Sequence, residues 1–177
     1  MMNTETVNKI ARTIELVVFD VDGVFTDGMI WLNHYGEEIK SFNVRDGHGI
    51  RMLMHYGIDV AVISGRHSQA VNVRMEELGV TTIMQGHIDK RVALTQLLED
   101  KSLPAEKTAF VGDDIIDVPA MQMAGLSIAV ADAHPWVISH ANHITKANGG
   151  KGAVREVCEL IMDAQGLLAK ALSYNVQ

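Results

Sequence analysis

The sequence predicts an α/β fold, built as a doubly wound and mainly parallel sheet with a protruding β-hairpin. Short apolar runs typical of buried strands alternate along the chain with amphipathic segments typical of helices. Two of the apolar runs end in closely spaced aspartates, as expected where ligands bind at the carboxyl edge of a parallel sheet. The 177 residues are 47% hydrophobic and no linker interrupts them, so we expect one domain over residues 1–177.

Each predicted strand is a short run rich in valine, isoleucine or other apolar residues, as buried parallel strands are. The predicted strands cover residues 16–19, 59–63, 81–84, 108–111 and 126–130. Helices are predicted where apolar residues recur every three or four positions, and Gly57, Gly79 and Gly125 act as stop signals. The predicted helices cover residues 46–56, 68–78, 90–100, 116–124 and 153–162.

A β-hairpin is predicted between the first strand and the first of these helices. Two short apolar segments, 29–32 and 38–42, flank the turn at residues 34–37. Its side chains Met29, Trp31 and Ile39 have no obvious partner in the chain, and an isolated hairpin is marginally stable in water. We therefore expect the hairpin to pair with neighbouring copies of the chain.

Composition excludes several classes of protein. The net charge of −7 disfavours a nucleic-acid partner, whose phosphates need a basic surface. The only cysteine, Cys158, excludes an internal disulfide and is predicted to be a buried apolar residue. No apolar run approaches the roughly 20 residues that span a bilayer, and residues 1–10 lack the features of a secretory signal. We expect a soluble, cytoplasmic protein.

The first signal of chemistry is the aspartate pair Asp20 and Asp22, which follows the strand 16–19 directly. Both carboxylates stand just beyond the carboxyl end of a buried strand, in a segment that contains glycine and polar residues. Such a pair can bind a divalent cation, attack an electrophile, or do both.

Three further signals stand at the ends of other predicted strands. Ser64, followed by glycine, can present a hydroxyl and backbone N–H groups to a phosphate, although an ordinary helix cap explains it too. Lys90 opens a helix, where its charge opposes the helix dipole, but a lysine at such a position is often simply solvated. Asp113, Asp114 and Asp117 exceed the one acid that a helix cap requires.

The combination is more informative than its parts. If the strand ends lie side by side, Asp20, Asp22, Asp113 and Asp114 converge. Two like charges 4 Å apart repel by roughly 4 kcal/mol at an effective dielectric constant near 20, so a bound cation would relieve the conflict. Oxygen ligands without histidine or cysteine favour Mg²⁺ over Zn²⁺. Acids, a hard metal, a hydroxyl and a lysine around one anion are typical of phosphoryl transfer.

These segments resemble the four motifs of the haloacid dehalogenase-like phosphatases in identity, order and spacing. The matching segments are DVDGV at 20–24 with TDG at 26–28, Ser64, Lys90, and GDDIID at 112–117. Family members with a cap domain carry it between these motifs, and here the intervals hold only the hairpin and single helices or strands. The resemblance therefore implies the cap-less subclass, with an open active site unless another subunit covers it.

The resemblance also implies roles for individual residues. Asp20 would be the nucleophile that forms an aspartyl-phosphate, and Asp22 the general acid and then the base that activates water. Asp20, Asp113 and the main-chain carbonyl of Asp22 would ligate Mg²⁺. Asp114 and Asp117 would act in the nearby shell by orienting waters or the lysine.

Ser64 and Lys90 would hold the transferring phosphoryl oxygens by the same resemblance. Further segments are similar to those of a cap-less branch whose substrate is a phosphorylated sugar acid of lipopolysaccharide biosynthesis. These segments are FNVRDG at 42–47, ISGR at 63–66 and GGKGAVRE at 149–156. The chain departs from the pattern of this branch at Phe25 and Val118, which stand where leucine is expected. That branch implies a homotetramer in which the hairpins form a central barrel and a neighbouring subunit covers each active site.

Substrate contacts are predicted for cationic and nearby residues, because a sugar acid is an anion. Beside Ser64 and Lys90, the predicted substrate-binding residues are Gly65, Arg66, Asp46, Gly47 and Arg74. The glycine-rich segment 148–152 reads either as a phosphate loop without the Walker spacing or as a mobile turn. A flexible tail over about 167–177 could reach a neighbouring site.

Two rival functions stay open on the sequence. One is a phosphatase acting on a different sugar phosphate, such as an N-acylneuraminate 9-phosphate. The other is a phospho-receiver domain, which also places aspartates near a lysine on a parallel sheet but retains the phosphate as a signal. Asp22, two residues past the predicted nucleophile, disfavours the receiver because it would promote hydrolysis.

Overall fold

The structure is a computed structural model that describes residues 2–174. Its strands are β1 (Leu16–Phe19), β2 (Trp31–Leu32), β3 (Glu38–Ile39), β4 (Asp59–Ser64), β5 (Thr82–Gln85), β6 (Thr108–Gly112), β7 (Leu126–Ala129) and β8 (His143–Ile144). Six of these strands form one sheet in the order β5-β4-β1-β6-β7-β8, in which every neighbouring pair is parallel. β2 and β3 pair antiparallel in a separate two-stranded sheet.

Eight α-helices accompany these strands in the described part of the chain. They are α1 (Thr4–Ala11), α2 (Val44–His55), α3 (Gln69–Leu78), α4 (Lys90–Lys101), α5 (Val118–Met123), α6 (Pro135–His140), α7 (Ala153–Ala164) and α8 (Leu168–Tyr174). α7 packs against α1 and α2, and α4 packs against α5. All four side chains of β1 are buried although they alternate between the two faces, so both faces of the central sheet are covered. The predicted α/β class with a parallel sheet is confirmed.

The register of the central strands decides which residues leave the sheet together. Phe19 of β1 stands opposite Val62 of β4 and Val111 of β6. Because the strands are parallel, the residues just beyond these three positions emerge at the same edge. That edge carries the acidic and polar residues identified from the sequence.

Local capping fixes where the helices near this edge begin and end. Asp89 accepts hydrogen bonds from the N–H groups of Arg91 and Val92, at 3.2 Å each, so α4 begins at Lys90. Asn43 caps α2 in the same way by accepting the N–H of Arg45 at 2.9 Å. The first residue of α4 is thereby held at the pocket described below.

Several elements differ from the sequence prediction. The hairpin strands are two residues each, shorter than the predicted segments 29–32 and 38–42, and their residues Trp31 and Ile39 are more than half exposed. The segment predicted as the helix 116–124 begins with a 3-10 turn, Ile115–Asp117, before α5. α1, α6 and β8 were not predicted: α6 and β8 are too short to show a period.

The end of the chain also differs from the expected flexible tail. α8 occupies Leu168–Tyr174, and its Ala171 is buried. Residues 175–177, the last part of the predicted tail, lie outside the described residues. Cys158 is buried in α7, as predicted. Within residues 2–174, no helix has both the length and the apolar character needed to cross a membrane.

Candidate active site

The carboxyl edge of the sheet carries a pocket of about 260 Å³ between the loops that follow β1, β4, β5 and β6. Its lining residues are Asp20, Asp22, Gly28, Ser64, Gly65, Arg66, Lys90, Asp113, Asp114 and Ile116. The structure therefore brings together residues from all four strand-end segments identified in the sequence.

Lys90 is the most deeply buried charge in this pocket. Its side chain is fully buried, and its ammonium lies 2.7 Å from Oδ1 of Asp20 and 2.5 Å from Oδ1 of Asp117. Burial disfavours the charged form, but the two carboxylates outweigh it and raise the pKa of Lys90 above its usual range. Lys90 is thus a fixed cation beside the Asp20 carboxylate and not the solvated lysine of the alternative reading.

Asp117 holds the loop that follows β6. Its Oδ2 accepts the backbone N–H groups of Asp113 at 3.0 Å and Asp114 at 3.1 Å, while its Oδ1 faces Lys90. Asp114 in turn accepts the N–H of Ile115 at 2.7 Å and caps the 3-10 turn. Both oxygens of Asp117 are engaged by donors, which suits the predicted supporting role better than direct contact with a substrate.

Three carboxylates form a candidate cation site. One oxygen from each of Asp20, Asp113 and Asp117 lies within 4.8 Å of the other two. Burial raises the pKa of the Asp20 carboxyl, and the Asp117 charge adds to the rise although Lys90 opposes it. Burial likewise raises the pKa of Asp113, reinforced by Asp20. The structure thus crowds more negative charge than one lysine compensates, and an oxygen-only donor set fits Mg²⁺.

Since Asp117 is already hydrogen-bonded, the oxygens left for a cation belong to Asp20 and Asp113. These two are the metal ligands that the sequence predicts, and the carbonyl of Asp22 as a third ligand stays a prediction. When bound, Mg²⁺ would supply the positive charge that this cluster lacks and would keep both carboxylates ionised.

We expect Mg²⁺ to raise the melting temperature of the protein, and to raise it more near pH 8 than near pH 6. Because the pKa values of Asp20 and Asp113 are raised, the metal-free folded chain binds protons there more tightly than the unfolded chain does. Lowering the pH therefore stabilises the metal-free fold and makes protons compete with the cation. Thermal unfolding with and without Mg²⁺ across this pH range measures the difference.

Asp113→Asn should shrink the shift in melting temperature, whereas Asp59→Asn, which changes an exposed acid elsewhere, should leave it unaltered. A shift of equal size at every pH, or one that Asp113→Asn leaves intact, would contradict the assignment of the cation to this cluster.

The end of β4 and the loop that follows it contribute a hydroxyl and a cation. Ser64 is 2% exposed, and its Oγ accepts the N–H of Arg66 at 3.3 Å. Its carbonyl accepts the N–H of His87 at 3.0 Å, which joins this loop to the one that leads to Lys90. The hydroxyl hydrogen of Ser64 is thereby left for an anion in the pocket.

The glycine-rich segment forms a turn in which the N–H groups of both Gly149 and Gly150 are bound within the chain. Gly149 donates its N–H to Oδ1 of Asp132 at 2.9 Å, and Gly150 donates its N–H to the carbonyl of Val24 at 2.9 Å. A Cβ on Gly149 would lie 1.7 Å from the carbonyl oxygen of Gly23. Only glycine allows this approach of two backbones, and the segment therefore supports the loop that carries Asp22.

Three predicted substrate-binding residues do not line the pocket of this chain. Asp46 is fully buried, and its Oδ1 accepts the N–H of Arg155 at 2.8 Å, so it joins α2 to α7 instead. Gly47 faces Arg74 so closely that an added Cβ would lie 2.2 Å from Nη2 of Arg74. Arg74 pairs with Glu77 at 2.7 Å and lines a separate cleft beside the hairpin.

Sequence reasoning missed Lys40, whose ammonium contacts the carboxylate of Asp22. Lys40 follows β3 of the hairpin and stands far from Asp22 in sequence. A basic residue within the second hairpin segment gives no local signal of a partner, because only the folding of the hairpin against the sheet edge brings the two charges together.

The chain belongs to the haloacid dehalogenase-like hydrolases. The model of that family matches residues 68–157. Among its relatives are 3-deoxy-D-manno-octulosonate 8-phosphate phosphatases, the enzymes of the cap-less branch predicted from the sequence. The one from Escherichia coli strain K12, KdsC, is 48% identical over 94% of this chain and 88% of its own length.

Solved structures of such phosphatases are similar over nearly the whole chain. The enzyme from Yersinia pestis is 49% identical, with a TM-score of 0.91 over 92% of this chain and 88% of that one. The enzyme from Moraxella catarrhalis, solved with magnesium, phosphate and the sugar acid KDO, is 39% identical, with a TM-score of 0.95 over 99% of this chain and 100% of that one. The predicted family and the predicted branch are both confirmed.

Proposed function

We propose that this chain is a Mg²⁺-dependent phosphatase that hydrolyses 3-deoxy-D-manno-octulosonate 8-phosphate to the free sugar acid and phosphate. The observation that carries the proposal is the likeness to the Moraxella catarrhalis enzyme, which binds magnesium, phosphate and KDO and matches this chain from end to end. The reaction would serve lipopolysaccharide biosynthesis, as the resemblance implies, and would take place in the cytoplasm.

The geometry supports a two-step reaction through an aspartyl-phosphate. Asp20, held by Lys90 at 2.7 Å, attacks phosphorus while the bond to the sugar oxygen breaks. Asp22, across the same pocket, gives its proton to that oxygen. A water then attacks phosphorus, Asp22 takes the water's proton, and Asp20 is released. Ser64 and Lys90 donate to the phosphoryl oxygens throughout.

The substrate proposal is tested by phosphate release from 3-deoxy-D-manno-octulosonate 8-phosphate beside arabinose 5-phosphate, glucose 6-phosphate and an N-acylneuraminate 9-phosphate. We expect kcat/KM for the first to exceed that for arabinose 5-phosphate and glucose 6-phosphate by at least about tenfold, because its anionic carboxylate can pair with Arg66 at the pocket mouth. A preference for a neutral sugar phosphate, or for the N-acylneuraminate 9-phosphate, which also carries a carboxylate, would contradict the proposed substrate and leave the reaction class standing.

Acetyl phosphate separates the phosphatase from a phospho-receiver. An enzyme turns it over, whereas a receiver forms a stable adduct. Asp22 lines the pocket beside Asp20, where a receiver would need no proton donor. A long-lived aspartyl-phosphate on the wild-type chain would therefore contradict the proposal.

We infer further that the chain forms a homotetramer through its hairpins and that a neighbouring subunit covers each active site. The hairpin exposes Met29, Ile30, Trp31, Leu32 and Ile39, each more than half accessible. Contiguous apolar surface of this kind marks an interaction site. The resemblance to the cap-less branch implies the tetramer, and the exposed apolar surface of the hairpin supports this inference.

Trp31→Lys should dissociate the assembly, because it places a charge in the proposed hairpin barrel. Light scattering on the purified variant should give the mass of a monomer or dimer, and kcat/KM should fall if a neighbour completes the site. Trp136→Lys, which changes another exposed tryptophan on α6, is the matched control. A tetramer that survives Trp31→Lys would contradict the role of the hairpin.

A further inference from the structure

Asp22 lies in a closed ring of four alternating charges at one wall of the pocket. Lys40 contacts Oδ1 of Asp22, and its Nζ lies 2.6 Å from Oε1 of Glu38. Arg66 closes the ring, with Nε 3.7 Å from Oδ2 of Asp22 and Nη2 3.4 Å from Oε2 of Glu38. Each cation faces both carboxylates, so the four side chains constrain one another.

Of the two cations in the ring, Lys40 is far more shielded from solvent. The side chain of Lys40 is 2% exposed, whereas that of Arg66 is 48% exposed. A buried ion pair contributes little to stability, because removing its charges from water costs about as much as their attraction returns. The burial of Lys40 against Asp22 therefore calls for a reason other than stability.

Glu38 holds Lys40 from its other side. Burial raises the pKa of Glu38, but Lys40 and Arg66 outweigh this and lower it, so Glu38 is an anion in the ring. Glu38 belongs to β3, and Lys40 follows Ile39, whose partner across the hairpin is Trp31. The hairpin thus carries an apolar outer surface and a charged base that reaches the active site.

We propose that Lys40 is a positioning residue for Asp22, and this proposal rests on the phosphatase function proposed above. The ammonium binds Oδ1 of Asp22 and fixes the rotation of the carboxyl group. Oδ2, which the more distant Arg66 faces, is then the oxygen that carries the acidic proton once the substrate is bound, and it delivers this proton to the departing sugar oxygen as the P–O bond breaks. The same oxygen takes the proton of the attacking water when the bond between phosphorus and Asp20 breaks.

The test compares two leaving groups. A sugar alkoxide needs the proton of Asp22, whereas 4-nitrophenolate leaves without one. Lys40→Met should lower kcat/KM for the sugar phosphate by about 10²-fold, within the usual contribution of a general acid, and lower it for 4-nitrophenyl phosphate by less than about tenfold. Lys40→Arg keeps the charge and should recover most of the loss.

Controls separate positioning from damage to the fold or the assembly. Lys101→Met removes a lysine paired with Asp59 at 2.9 Å far from the pocket and should change neither substrate. Circular dichroism and light scattering establish that each variant keeps the wild-type fold and mass. Should Lys40→Met fail to fold, Glu38→Gln tests the same ring and should give a smaller loss with the same leaving-group preference.

An equal loss on both substrates, or no loss on either, would overturn the role of Lys40 while leaving the phosphatase proposal intact. If the wild type prefers a different sugar phosphate, only the proposed substrate fails. The loss of kcat/KM caused by Lys40→Met is then compared between that preferred sugar phosphate and 4-nitrophenyl phosphate. A wild type that hydrolyses no alkyl phosphate would overturn both proposals.

Discussion

Asp20→Asn should abolish phosphate release, with a loss of at least about 10⁴-fold in kcat, the order seen when the nucleophile of a covalent mechanism is removed. The amide cannot form the aspartyl-phosphate, and it withdraws one of the two carboxylates that face Lys90. The fold should survive, because the substitution is nearly isosteric and removes a buried negative charge whose raised pKa already marks it as unfavourable. Phosphate release and thermal unfolding of the same preparation measure both effects.

Asp114→Asn is the matched control for Asp20→Asn, since it changes an acid in the same pocket whose carboxylate caps the neighbouring 3-10 turn. Its loss of activity should be far smaller. A variant with asparagine at position 20 that kept most of its turnover would show that another residue receives the phosphoryl group.

Lys90→Met should lower both activity and stability. The substitution leaves Asp20 and Asp117 as buried carboxylates with no cation between them, and breaking a buried pair in this way costs about 3–5 kcal/mol. It also removes a donor to the phosphoryl oxygens, which lowers kcat by about 10²–10³-fold. Denaturant unfolding gives the free energy, and phosphate release gives the rate.

The pH dependence identifies the cause of the lost stability. Burial raises the pKa of Asp20, so near pH 6 this carboxyl can take up a proton in place of the missing charge, and the destabilisation should be smaller there than near pH 8. Lys101→Met, which breaks a more exposed ion pair with Asp59, should cost less than about 1 kcal/mol at either pH. A pH-independent loss for Lys90→Met would point to lost packing and not to unpaired charge.

The central strands and the position of the site were predictable from the sequence because their signals are local. The run 16–19 is buried as a strand, and Asp20 follows it directly. The acids after β6 exceed what a helix cap needs, and all four motifs stand at or after the end of a strand, so parallel pairing gathers them at one edge. Composition and spacing sufficed here.

Substrate-binding residues were harder to predict, because their roles depend on contacts between distant segments. Asp46 carries a charge near a motif, yet it is fully buried and binds the backbone of Arg155. Gly149 was predicted to lie in a phosphate loop or in a mobile turn, and it lies in a turn whose backbone approaches that of Gly23 closely. No periodicity or composition encodes either contact.

The amino-acid order alone determined the α/β class, the acidic exits of the strands and the family to which their spacing belongs, since each follows from neighbours along the chain. Only the tertiary structure decided that Lys90 is buried between Asp20 and Asp117, and that the folded hairpin places Lys40 in contact with Asp22. The reason is physical. The cost of burying a charge, and the partner that compensates it, depend on which surfaces meet after the chain has folded.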